Sequence, residues 1–196
     1  MKGCGIALAI VFVVLSGCTT LGTEITKNNN EIRMPHYLFV VPPDRDWRLL
    51  RPDDIYETAV LTKKEGLFTY QIRMMRNVIS DEKLRAASAK IVAGDFRDRE
   101  KQIMIEQGVN KGMYQISYLV KGEERVGGNT FYTMDYHVET DTARQSASLY
   151  LYFPKDERND AFIVAHYSET VPLSASLSQS LKPEFIQILK SLRVSQ

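Results

Sequence analysis

The sequence predicts an α+β fold: a single domain whose antiparallel sheet is packed by a central helix and a C-terminal helix. Three observations lead there. Runs of alternating apolar and polar residues recur between Gly, Asn and Pro turn signals, as half-buried strands require. The ten tyrosines fall in stretches that look extended, and aromatic residues suit a pleated, half-buried surface. Helix signals are confined to a stretch after Ser80 and to the end of the chain.

The elements follow in order. His36–Val41 reads as a strand closed by Pro42-Pro43, because proline cannot continue a ladder. Asp44–Leu50, with the single tryptophan Trp47, reads as a turn. Ile55–Thr62 is the next strand, followed by Lys63-Lys64-Glu65-Gly66 as a turn. In Leu67–Met75 the alternation sets Phe68, Tyr70, Ile72 and Met74 on one face. Ser80-Asp81-Glu82-Lys83 starts a helix with Ser80 as N-cap, and good helix formers continue to Ala93. Leu84, Ala87, Ser88 and Ile91 line its apolar stripe, and Gly94 weakens it. Ile103 and Ile105 alternate with polar neighbours as a short strand would, and a helix reaching Gln107 fits the same residues.

Tyr114–Val120 is a strand, with Lys121-Gly122 through Gly127-Gly128 as its connection to the next. Tyr132, Met134, Tyr136 and Val138 mark that strand, and Ala147, Leu149, Leu151 and Phe153 the one after, ending at Pro154. Ala161–Ser168 is the last strand. Leu177–Leu192 forms the C-terminal helix, with Pro183 in its first turn and Phe185, Ile188, Leu189 and Leu192 facing the core.

Ahead of this domain lies a different kind of sequence. Met1-Lys2 precedes the apolar run Gly5–Leu15, which is too short to span a bilayer comfortably and has the layout of a secretory signal. It closes in Leu15-Ser16-Gly17-Cys18, which resembles the lipobox of bacterial lipoproteins. The resemblance implies that residues 1–17 are a cleaved signal peptide and that Cys18 becomes an acylated N-terminus. Cys4 then departs with the signal, and no thiol is left for a disulfide, a nucleophile or a zinc site. Thr19 is not the aspartate associated with inner-membrane retention in that family, which points to the periplasmic face of the outer membrane. Residues 18–34 are polar, with an Asn triplet, and read as a flexible tether with an end-to-end distance of roughly 20–25 Å. The domain proper is expected over residues 35–196.

The charges are balanced, with 25 Lys and Arg against 24 Asp and Glu. Nucleic acid, which calls for a clustered basic face, is therefore excluded as a partner. Asp135, His137 and Glu139 alternate on one strand face and could present ligands to a metal. The opposite face carries Tyr132, Met134, Tyr136 and Val138, so the polar triplet reads more simply as the solvent side. His36 and His166 are isolated in strands. Ser174, Ser176, Ser178 and Ser180 have no Gly-x-Ser-x-Gly elbow around them, and Gly127-Gly128-Asn129 lacks the setting of a phosphate cradle. Arg97–Lys101 mixes charge signs as a solvated helix face does. Tyr150 and Tyr152 share a face that is either core or a partner-binding surface, depending on whether the terminal helices cover it.

The element order, with Pro42 and Trp47 after the first strand, a strand ending in Lys-Lys, a Ser-capped helix and a terminal Phe185, Ile188, Leu189, Ser191, Leu192 pattern, resembles the PsbP-like fold over about residues 35–193. That superfamily includes photosystem accessory proteins and bacterial lipoproteins of the DcrB type. The resemblance implies a binding or assembly module with no shared catalytic set, and no cofactor is expected. The sequence expectation is thus a non-enzymatic, membrane-anchored envelope lipoprotein with a protein partner. A small-ligand or metal-binding lipoprotein is the alternative.

Overall fold

The computed structural model describes residues 22–43, 45–53, 57–109, 112–154, 160–178 and 181–194. Its strands are β1 (Thr23–Glu24), β2 (Glu31–Arg33), β3 (Tyr37–Val40), β4 (Arg48–Asp53), β5 (Thr58–Glu65), β6 (Phe68–Val78), β7 (Gln115–Val126), β8 (Asn129–Glu139), β9 (Ala143–Tyr152), β10 (Ala161–Pro172) and β11 (Arg193–Val194). The helices are α1 (Glu82–Arg85), α2 (Ala89–Gln107) and α3 (Lys182–Ser191). Eight strands form one sheet in the order β1-β4-β5-β6-β10-β9-β8-β7, and β11-β3-β2 form a second. Every neighbouring pair is antiparallel. The expected α+β class and both packing helices are present.

The large sheet buries both faces. On one, Leu61, Ile72, Tyr150 and Tyr167 pack with Phe185 and Ile188 of α3, Phe39 of the small sheet and Trp47 ahead of β4. On the other, Met134, Leu149, Leu151 and Val164 meet Val92, Phe96 and Met104 of α2. The strict period of two along each strand produces this sorting. Residues 162–169 of β10 are buried without interruption, because covered central strands have no solvent side.

Several expectations are corrected. From Gly22 onward the tether is part of the fold: β1 pairs with β4 and β2 with β3, and Ile25, Ile32 and Met34 are buried. Their isolated apolar side chains join the core beneath α3, a non-local role that no local periodicity announces. Residues 18–21 lie outside the described residues. The expected turn over 44–50 becomes β4 from Arg48. The Lys63-Lys64-Glu65 turn is strand, and the chain reverses only at Gly66 (φ 58°) and Leu67.

The helix after Ser80 is interrupted. Asp81, not Ser80, caps α1, its Oδ1 accepting from the Lys83 amide at 2.8 Å, and the chain leaves the helix at residues 86–88. The break resets the helical phase, so α2 buries Val92, Ala93, Phe96, Arg97, Glu100 and Met104 while Ile91 is exposed. Gly94 sits inside α2, and residues 101–107 are its last turns. The Lys121–Val126 connection is the second half of β7, and the turn shrinks to Gly127 (φ 58°) and Gly128 (φ 86°), the positive pair that a tight two-residue hairpin needs. A Cβ on Gly127 would also meet the Lys190 backbone of α3 at 3.1 Å. The last strand runs on to Pro172, and α3 starts only at Lys182.

The burial of Ile32 gives a direct check on the N-terminal correction. Ile32→Ala is expected to lower unfolding stability by roughly 2–4 kcal/mol, the cost of emptying a packed aliphatic site. Urea unfolding measures it; an unchanged midpoint would return residues 22–34 to a loose tether.

Candidate functional site

The polar side chains of the sheet fall into three groups, each fixed by the strand period. The first is the outward triplet of β8. Asp135 Oδ1 accepts from the Ser148 hydroxyl of β9 and, at 3.5 Å, from Lys182 Nζ of α3. Glu139 Oε2 accepts from Arg144 Nε at 2.7 Å across the β8–β9 turn. His137 lies against the Tyr118 ring, with centroids 5.4 Å apart. Each member thus has a partner of its own, and the two carboxylates are each spent on a cation. Among the described residues, no group of three or more His, Cys, Asp or Glu side chains could hold a metal ion.

The second group lies under α2. Tyr136 of β8 and His166 of β10 are hydrogen-bonded through Oη and Nε2 at 2.9 Å, their rings stacked with centroids 6.2 Å apart. Arg73 of β6 stands opposite His166 in register, its Nε buried without a partner. Glu100 points in from α2 and is buried. Burial pushes its pKa up to about 7, against the pull of Arg99. Burial, and then the Arg73 charge, push His166 down to about 4. Arg97 donates Nε to the Ala93 carbonyl at 3.1 Å and Nη1 to the carbonyls of Gly122 and Thr133 at 3.1 and 2.9 Å. The helix thereby clamps β7 to β8. The expected solvated face over 97–101 is corrected accordingly: Arg97 and Glu100 turn inward, because four-residue spacing puts them on the stripe of Ala93 and Phe96.

The third group lies under α3. Trp47 Nε1 donates to Glu184 Oε2 at 2.9 Å, and buried Lys63 pairs with Glu65 at 2.7 Å and approaches Glu184 at 4.0 Å. Glu169, wholly buried, accepts at Oε1 from the Ser178 amide at 2.6 Å, so it pins the loop that leads into α3. Glu169 Oε2 and the Tyr167 hydroxyl are buried without hydrogen-bond partners. Nothing in the sequence marked Lys63, Glu169, Arg73 or Glu100 as interior. Continuing the apolar parity past the first charged residue finds Lys63, Glu169 and Glu100, whereas Arg73 lies on the opposite parity of β6 and is found only through its register with His166.

The remaining candidates resolve separately. Tyr150 is core: its hydroxyl donates to Glu124 Oε2 at 2.6 Å and its ring meets Phe185 of α3 edge-on. Tyr152 is half-buried against Phe131. His36 Nδ1 lies 2.9 Å from Glu57 Oε1, which also receives Arg76 Nη1 at 3.2 Å. Ser174 and Ser176 are exposed. Ser180 and Cys18 lie outside the described residues. A shallow groove of about 360 Å³ lined by Arg97, Lys121, Gly122 and Glu123 opens beside β7. Its side chains project from a helix and an edge strand rather than converging on one point.

No family model matches the chain, and no curated protein matches it in sequence. Similar folds occur among solved structures. A Bacteroides thetaiotaomicron protein has a TM-score of 0.40 at 13% identity, over 82% of this chain and 45% of its own, so the chain spans less than half of that protein's length. LpqN of Mycobacterium tuberculosis, described as involved in cell envelope biogenesis, has 0.47 at 10% identity, over 89% of this chain and 100% of its own. Cyanobacterial PsbP from Synechocystis has 0.47 at 14% identity, over 92% of this chain and 98% of its own.

His166 and Glu100 make opposite contributions to the pH dependence of stability. The native state binds fewer protons at His166 than the unfolded chain between pH about 6.5 and about 4, so that contribution is lost as pH falls through the window. At Glu100 the native state binds more protons between about 4.5 and about 7, so its contribution is lost as pH rises. Each shift is worth at most about 3 kcal/mol. Glu100→Gln is expected to raise stability above pH 7 and to uncover the acid-side loss from His166. His166→Gln should uncover the opposite slope. Urea unfolding across pH 4–8 reads both; parallel profiles for wild type and variants would mean that neither group is held as described.

Proposed function

We propose that this chain is a lipid-anchored lipoprotein of the bacterial cell envelope, held through acylated Cys18 at the periplasmic face of the outer membrane, and that it acts there as a non-enzymatic protein-binding or assembly accessory. The observation that carries the reading is the Leu15-Ser16-Gly17-Cys18 sequence, set four residues ahead of Gly22, where the described fold begins. Four residues reach roughly 14 Å at full extension. An anchor on Cys18 therefore holds the β1 edge of the sheet close to the bilayer, and the looser tether expected from composition is replaced by a short leash. Single acyl chains bind membranes only marginally, whereas the several chains implied by the lipoprotein resemblance anchor stably.

The accessory role is supported by where the polar side chains go. Asp135, Glu139, His36 and His166 are each engaged by a neighbour within the fold. Catalysis needs groups aimed at a space that a substrate can enter. Here they are aimed at one another.

The test is metabolic labelling with radioactive palmitate, followed by fractionation of inner and outer membranes. Wild type is expected to carry label and to sediment with the outer membrane, and Cys18→Ser to carry none and to leave the membrane fraction. Crosslinking in intact cells should then capture an envelope protein with wild type and lose it with Cys18→Ser. Unlabelled wild type, or label retained by Cys18→Ser, would overturn the anchor. Capture unchanged by Cys18→Ser would separate partner binding from anchoring.

A further inference from the structure

We propose that the outer edge of β7 pairs antiparallel with the β7 edge of a second copy of this chain, about a two-fold axis through Gly122, so that two eight-stranded sheets join into one.

β7 ends the sheet order, twelve residues long, and among the described residues only β8 pairs with it. A long open edge is a template for another strand unless something blunts it. Two blunting devices are present: the register shifts between Ser117 and Val120, where Tyr118 sits at φ 53° and is 67% exposed, and the edge carries the exposed charges Lys121, Glu123, Glu124 and Arg125, which repel a partner strand unless they are matched. The irregularity takes in Tyr118 and Leu119 and ends at Val120, from which the strand stays regularly paired with β8 to Val126.

The sequence of that stretch is complementary to itself in one register. Antiparallel pairing needs the N–H and C=O groups that point away from β8 to meet their equals, so the two-fold axis must pass through a residue rather than between two. With the axis on Gly122, Lys121 stands opposite Glu123 of the copy, twice by symmetry. Leu119 then stands opposite Arg125, and Val120 opposite Glu124. An axis on residue 121 would set Lys121 against itself; one on residue 123 would set Glu123 against itself and Lys121 against Arg125. Like charges directly opposite are destabilising. The axis residue itself has no side chain to obstruct the seam.

Existing ion pairs extend the match. Lys121 already pairs with Asp98 of α2, and Glu123 with Lys90 of the same helix at 3.5 Å. Both sit on the α2 side of the sheet, and a two-fold axis normal to the sheet keeps them on the same side in the dimer. The order across the seam becomes Asp98, Lys121, Glu123 of the copy and Lys90 of the copy, with alternating signs throughout. Networks of this kind contribute where isolated surface pairs do not.

The experiment is sedimentation velocity on the full chain in detergent, with charge-exchange variants. Wild type is expected to sediment as a dimer. Glu123→Lys, which opposes lysine to lysine at two symmetric pairs, should weaken association roughly tenfold. Lys121→Glu combined with Glu123→Lys should recover part of it, since the exchange keeps the pair across the seam complementary while setting like charges against Asp98 and Lys90 within each copy. Lys121 and Glu123 are both exposed, and circular dichroism of the variants is expected to match wild type. Gly122→Cys in a chain carrying Cys4→Ser and Cys18→Ser gives a single thiol on the axis, and mild oxidation should yield a disulfide dimer. A monomeric wild type, a dimer indifferent to Glu123→Lys, no recovery in the double exchange, or no Gly122→Cys disulfide would each overturn the proposal. The anchor is read independently by acyl labelling, so failure here leaves it standing.

Discussion

The structure depends on the pairing of β6 with β10. Two locally folded pieces flank it: β4, β5 and β6 run as a meander on one side, and β7 through β10 as another. Ten consecutive residue pairs, from Ala161 opposite Val78 to Thr170 opposite Thr69, turn the two pieces into one sheet. The partners lie far apart along the chain, so forming this long ladder carries a substantial loop-closure cost. It is offset by burial on both faces, since β10 presents Ile163, Ala165 and Tyr167 to α3 and Phe162 and Val164 to α2. Neither helix has a complete apolar floor until β6 and β10 meet.

The same central position explains the interior charges. Arg73 and His166 face one another across the β6–β10 ladder, and Glu169 sits three residues further along β10. Burying an ionisable group costs several kcal/mol unless it is neutralised or bonded. His166 meets that cost by staying neutral and bonding Tyr136, and Glu169 by accepting from Ser178. Lys63 uses Glu65 and Glu184. The polar interior is therefore spent on holding α2, α3 and Ser178 in place.

Strand parity was legible in the sequence almost throughout. Tyr70, Ile72 and Met74 share the face read from alternation, and Tyr132 through Val138 and Ala147 through Phe153 face α2 together. The C-terminal helix showed through Pro183 and its apolar stripe. What the sequence hid was non-local or phase-dependent. Ile25, Ile32 and Met34 are too sparse to form a periodic signal and gain their place from a sheet assembled by β3 and β11. The stripe of α2 could not be read across residues 86–88, because a break of three residues rotates everything after it. Of the candidate polar residues, those on β8 were placed on the correct face, and the reason they do not converge lies in partners contributed by β9 and α3. Glu100 and Arg97 looked like solvent charges because their neighbours Asp98 and Arg99 are solvent charges.

Gly127 shows how one small residue ties two regions together. The β7–β8 turn rests on the main chain of α3 at Lys190, with no room for a side chain between them, and α3 leads directly into β11, which closes the small sheet on β3. In evolutionary terms the position disfavours single substitutions, since a side chain there meets both a left-handed backbone and a tight contact with α3. A larger residue there is admissible only together with a shift of the helix, and a shift of the helix carries the small sheet with it. Variation at this turn and variation in the C-terminal helix are therefore expected to be coupled.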